Sequence, residues 1–133
     1  MKDCDFIEMS TNQNSIHVLV RLVKQLPSSA VKSIYDSVLA HFESTCGEKN
    51  GICLVKAFLE SQQEGIGTLR SRIIDNAFVL SADPYGNYAI QKLIEVCPAS
   101  IEQLFQAKLL PDRFKDMCAS KFSSNVVDKM LEL

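Results

Sequence analysis

Residues 87–94 read NYAIQKLI and residues 124–131 read SNVVDKML. IHVLVRLV (16–23) and ICLVKAFL (52–59) carry the same arrangement. Counted from the first residue of each segment, positions three, four, seven and eight are apolar in all of them. They are Val18, Leu19, Leu22 and Val23; Leu54, Val55, Phe58 and Leu59; Ala89, Ile90, Leu93 and Ile94; and Val126, Val127, Met130 and Leu131. Spacings of three and four residues put such positions on one side of a helix. One stripe repeated in every segment predicts equivalent helices facing one continuous core, which is the mark of a repeat architecture.

The phenylalanines extend the repeat outward. Phe6, Phe42, Phe78 and Phe114 stand 36 residues apart. Four residues after each comes a small side chain, Ser10, Cys46, Ala82 or Cys118, and further on come Ser15, Gly51, Gly86 and Ser123. The last interval is one residue shorter in the third copy, which places a register slip after Phe78. Equal spacing predicts equivalent buried sites for Phe42, Phe78 and Phe114. Phe6 has only five residues before it and is expected to be partly exposed.

Between the quoted segments lie further helical patterns. SSAVKSIYDSVLAHF (28–42) starts with Ser28 and Ser29 as candidate N-caps. GTLRSRIIDNAFVL (67–80) follows Gly65. ASIEQLFQAKLLPDRF (99–114) contains Pro111, and proline inside a helix costs about 3 kcal/mol or more, so a break is expected there. Pro27 and Pro98 fall where the chain must reverse. Each copy therefore reads as helix, turn, helix, with no β-sheet, and the copies divide the chain at about 1–26, 27–62, 63–98 and 99–133. The first copy lacks most of its first helix and the chain stops soon after Leu131. Either the sequence belongs to a longer protein or its ends are covered by a partner or by self-association.

Hydrophobic residues make up 47% and charged residues 23% of the chain, a globular composition without a membrane-length apolar run or a signal peptide. The five cysteines, Cys4, Cys46, Cys53, Cys97 and Cys118, form no C-x-x-C. That argues against a disulfide framework or a metal site and for reduced, buried thiols in a cytoplasmic protein. No nucleophile elbow, phosphate loop or H-E-x-x-H is present, and His17 and His41 stand apart, so no enzyme, cofactor or small-molecule substrate is expected. A formal net charge of −2 weighs against a general affinity for phosphates.

Positions one, two and five lie together, away from the stripe: Ile16, His17 and Val20; Ile52, Cys53 and Lys56; Asn87, Tyr88 and Gln91; Ser124, Asn125 and Asp128. They vary while the core positions repeat, as selectivity on a repeat scaffold requires. DPYGNYAIQKLIE (83–95) resembles a repeat of the Pumilio (PUF) family, and SKFSSNVVDKMLE (120–132) does as well. EKNGICLVKAFLE (48–60) and NQNSIHVLVRLV (12–23) are similar more loosely. The resemblance spans nearly the whole chain, as about three and a half repeats.

It implies an all-α solenoid, a right-handed crescent whose concave face holds single-stranded RNA, one base per repeat. The implied partner is messenger RNA, in its 3′ untranslated region, bound for post-transcriptional regulation. In the family, positions one and five read the base edge and position two stacks. Asn87 and Gln91 should then read uracil with Tyr88 stacking. Ser124, Asn125 and Asp128 resemble the guanine reader, although Asp128 is one methylene short of the usual Glu. With RNA antiparallel to the repeats this implies 5′-G-U. In the divergent copies Ile16 and Val20 offer no hydrogen bond, His17 remains to stack, Cys53 offers apolar contact, and Lys56 can reach a base acceptor or a phosphate. A different reading of the same face is a protein-interaction scaffold that has lost RNA binding, which the acidic charge and the divergent copies favour. An RNA binder must weaken steeply with salt and depend on Tyr88, and a scaffold need not bind RNA.

Overall fold

The computed structural model describes residues 3–61, 65–103 and 114–132. Among these every regular element is a helix. In order they are α1 (Asp3–Thr11), α2 (Gln13–Gln25), α3 (Lys32–Ala40), α4 (Phe42–Cys46), α5 (Gly51–Ser61), α6 (Ile66–Asp75), α7 (Ala77–Ala82), α8 (Gly86–Val96), α9 (Ser100–Gln103), α10 (Phe114–Ala119) and α11 (Ser123–Glu132). The expected break at Pro111 and the side chain of Phe114 lie outside the described residues.

The four quoted segments form α2, α5, α8 and α11, which pack in sequence as one layer of the solenoid. The other helices form a second layer. The two helices expected per copy are three, because the first of each pair is interrupted at His41 and at Asn76. The backbone there leaves helical geometry, with φ/ψ of −115°/38° and −109°/18°, while the amides still reach back to Ser37 O and Arg72 O. A short helix then restarts at once and turns the chain toward the inner layer. Ser28 and Ser29 do not cap α3. Its N-cap is Val31, without a side-chain bond, and the serines occupy the turn before it.

The core is the repeated stripe. Leu19, Val55, Ile90 and Val127 are buried, as are Leu54, Ala89 and Val126. Val18 and Leu131 depart from the expectation, at 54% and 76% exposure. Positions three and eight face the neighbouring copies on opposite sides. Among the described inner helices α2 packs on α5, and α11 on α8, so one of the two positions is left uncovered in each. Phe6 also departs, in the other direction: it is fully buried, and the His41 ring stacks on it at 5.7 Å.

The repeat register needs one correction. Val31 and Ile66, Ile34 and Leu69, Val38 and Ile73, Phe42 and Ala77, Cys46 and Ser81, and Gly51 and Gly86 are each 35 residues apart, and all are buried. The slip between the second and third copies therefore precedes Ile66. Ala77, not Phe78, occupies the place of Phe42. Phe78 takes the place of Glu43 and is only half-buried. The thiols also differ from expectation. Cys46 is buried, Cys97 is half-buried, and Cys53 and Cys118 are exposed, all of them free. No described helix is long and apolar enough to cross a membrane.

Candidate functional site

Each of α2, α5 and α8 is started by an acceptor three residues before its small residue. Asn12 Oδ1 accepts from the amides of Asn14 (2.8 Å) and Ser15 (3.0 Å). Glu48 Oε2 accepts from Asn50 and Gly51, both at 2.8 Å. Asp83 Oδ2 accepts from Tyr85 (2.9 Å) and Gly86 (2.6 Å). Satisfying amides that have no intrahelical partner fixes where the helix begins, and so where positions one, two and five point. Residues 12, 48 and 83 carried this signal in the sequence, and it was missed.

Position two is the exposed one. His17, Cys53, Tyr88 and Asn125 all face solvent, with Tyr88 at 46% exposure. Position one is not: Ile16, Ile52 and Asn87 are buried and Ser124 is half-buried. The expectation that Asn87 turns its amide outward is corrected here. At 1% exposure, Asn87 Nδ2 donates to Asp83 O (2.8 Å) and Pro84 O (2.9 Å), and its Oδ1 accepts from Gln91 Nε2 (2.8 Å). A short polar side chain at the start of a helix finds the preceding carbonyls within reach. Ser124 repeats the habit, its hydroxyl donating to Lys121 O at 3.0 Å. Asn87 thus holds Gln91 in place, and Gln91 keeps its carbonyl oxygen and one N–H for a ligand.

Tyr88, Gln91, Asn125 and Asp128 are brought together with Lys129 and Glu132 around an open cleft of about 320 Å³. Sequence reasoning missed Lys129 and Glu132, although they follow Asn125 by four and seven residues and so share its helix face. His17, Cys53 and Lys56 do not line this cleft. Lys56 is nevertheless connected to it, because its ammonium lies 5.8 Å from the centre of the Tyr88 ring, within cation–π range.

Charge on the inner layer is largely paired. Glu60 meets Lys92 at 2.8 Å and Lys24 at 3.6 Å, Lys92 meets Glu95 at 3.5 Å, and Lys129 meets Glu132 at 3.7 Å. The Lys92 hydrogen bond holds the Glu60 carboxyl below its ordinary range, and the same bond raises Lys92 above that of a free ammonium. This ladder ties α2, α5 and α8 together across copies. Among the described residues no cluster suited to a metal ion occurs.

A family model described as a Pumilio-family RNA binding repeat matches residues 76–107. Pumilio homolog 12 of Arabidopsis thaliana is 32% identical over 130 residues, which cover 96% of this chain and 21% of that protein. Pumilio homology domain family member 4 of Saccharomyces cerevisiae is 24% identical over 130 residues, 95% of this chain and 15% of that protein. The chain thus spans about a fifth or less of the length of these curated relatives. The crystal structure of PUF-8 in complex with PBE-RNA superimposes with a TM-score of 0.86 at 19% identity, covering 98% of this chain and 40% of that one.

Proposed function

Because this chain belongs to the Pumilio family of repeat proteins, we propose that its inner layer binds single-stranded RNA, read at the last two copies. The observation that carries the reading is the cleft itself. A stacking ring (Tyr88), a mixed donor and acceptor (Gln91), a polar side chain at the second stacking position (Asn125) and a carboxylate (Asp128) line one open groove across two copies. Single-stranded RNA is recognised by stacking exposed bases and by bonding their edges. Gln91 retains both a donor and an acceptor, which matches the edge of uracil. Asp128 accepts only, which suits the ring N–H and amine of guanine. With the RNA antiparallel to the copies, the preferred step is 5′-G-U. The RNA on this reading is a cytoplasmic messenger, bound in its 3′ untranslated region.

The test is a titration of the full chain at fixed low salt with short RNAs carrying G-U, G-C or A-U at the central step. G-U should bind best, at about micromolar strength or weaker, near −8 kcal/mol. Tyr88→Ala should remove about 1–3 kcal/mol, the worth of one base stacked on an aromatic ring, while Tyr88→Phe keeps it. Asp128→Glu should sharpen the preference for G by restoring reach. Equal binding of all three RNAs, with no effect of Tyr88→Ala, overturns the proposal. The paired charges of the inner layer would then fit a protein-binding scaffold.

A further inference from the structure

The outer layer carries two clefts that the repeat makes equivalent. One lies between α3 and α6 and is crossed by Tyr35. The other lies where α6 meets α8 and α9, and Arg70 stands 35 residues on, in the place of Tyr35. The first cleft is internally satisfied. The Tyr35 hydroxyl donates to Gly65 O at 2.7 Å and accepts from the Leu69 amide at 3.2 Å, and Lys32 is paired with Asp36 at 2.8 Å.

The second cleft is not. Ser71 replaces Asp36, and Ser100 lines this cleft where Gly65 lines the first. The carboxylate of the first cleft is gone, and a guanidinium has entered. Arg70 is half-buried, its Nε is buried without a hydrogen-bond partner, and no carboxylate pairs with it among the described residues. The cleft has a volume of about 330 Å³, with Ser71 and Gln103 offering donors, the Ser100 hydroxyl donating instead to Cys97 O at 2.7 Å, and Ile74 and Leu93 forming an apolar floor. A buried N–H left without an acceptor is costly, and a carboxylate on a guanidinium is among the stronger hydrogen-bonded pairs.

We propose that this cleft docks an acidic peptide segment of a partner protein, with an Asp or Glu carboxylate on Arg70 and a neighbouring apolar side chain on Ile74 and Leu93. Charge complementarity selects the acid: the lining supplies a cation and neutral donors, and none of the described lining residues is acidic. The apolar floor selects a peptide over a free anion. This surface lies in the outer layer, apart from the groove around Tyr88.

A displayed library of short random peptides is selected on the full chain, and the recovered peptides are titrated into isotope-labelled protein. Recovered sequences should pair Asp or Glu with an adjacent Leu, Ile, Val or Phe, and amide shifts should map to Ser71, Leu93 and Ser100. Arg70→Gln should weaken binding about tenfold or more, as expected for loss of a charged hydrogen bond. Ser71→Asp, which keeps Arg70 but restores the carboxylate of the first cleft, should weaken it similarly. Recovery of peptides without acid, shifts elsewhere, or binding unchanged in both variants overturns the proposal. So does oligouridine RNA or inorganic phosphate binding that depends on Arg70, with no acidic peptide recovered.

Discussion

Replacing Asn87 separates a structural side chain from a base reader. Its amide makes three hydrogen bonds in a buried site, two as donor to Asp83 O and Pro84 O and one as acceptor from Gln91. A neutral hydrogen bond contributes about 0.5–1.5 kcal/mol net. One of the two carbonyls is served already, since Asp83 O also accepts the Asn87 amide at 3.2 Å, and Gln91 is half-buried and can turn to water. These two facts place the gross loss near the low end of the sum, about 2 to 2.5 kcal/mol. Alanine returns about 0.5 kcal/mol through better helix propensity. Asn87→Ala should therefore destabilise by about 1.5–2 kcal/mol, read as a fall in urea midpoint at unchanged slope. Gln91→Ala removes only one of the bonds and should cost clearly less. A loss below about 0.5 kcal/mol for Asn87→Ala, the range of ordinary surface substitutions, would refute the reasoning and return Asn87 to the face.

Further outcomes follow from other sites. The Glu60 carboxyl is held low by Lys92, so its contribution is complete at neutral pH and is lost as pH falls through its folded-state value. Urea midpoints of Glu60→Gln should fall less on acidification than those of the parent, and parallel falls would sink this. Burial, with Asp83 nearby, pushes the Cys46 thiol up to about 12, so iodoacetamide at mildly alkaline pH should label exposed Cys53 and Cys118 first and Cys46 only on unfolding. Equal rates read by peptide mass spectrometry would contradict that burial. A Cβ on Gly51 would lie 2.5 Å from Thr45 O, whereas one on Gly67 meets nothing within 4 Å. Gly51→Ala should cost about 1–3 kcal/mol by overpacking, and Gly67→Ala should gain up to about 1 kcal/mol by denaturant titration.

The architecture was legible because it rests on periodicity. The stripe of Leu19, Val55, Ile90 and Val127 could be read without coordinates, and it is the core. The phenylalanine spacing misled because a residue lost before Ile66 and a phenylalanine placed one position late cancel. The interval from Phe42 to Phe78 stayed at 36 while the true register moved to 35. Asn87 misled for a different reason. Whether a short amide at a helix start faces out or bends back to its own carbonyls depends on the cap before it, here Asp83, and no apolar pattern encodes that choice. The pairing of Lys24 and Lys92 with Glu60 was hidden likewise, since it joins three helices and follows no local spacing.

That pairing changes what kind of RNA binding the face can support. A protein gains salt-dependent affinity by neutralising phosphates, with a slope of about −0.7 per phosphate for a single strand. Lys24, Lys92 and Lys129 are already engaged by Glu60, Glu95 and Glu132, so releasing them to a phosphate leaves a carboxylate behind. Lys56 leans on Tyr88 instead, and a base stacking on that face of the ring must displace it. Once displaced, its ammonium is the cation most readily given to the backbone. On the proposed reading affinity must then rest on stacking at position two and on base edges facing Gln91 and Asp128, with about one phosphate neutralised. The steep loss with salt expected of RNA binders in general gives way here to a shallow one. A plot of log K against log salt concentration should have a slope of about −0.7, and Lys56→Gln should flatten it toward zero. A slope of about −2 that Lys56→Gln leaves unchanged would show that the ion-paired lysines are released after all, and that phosphate contact dominates.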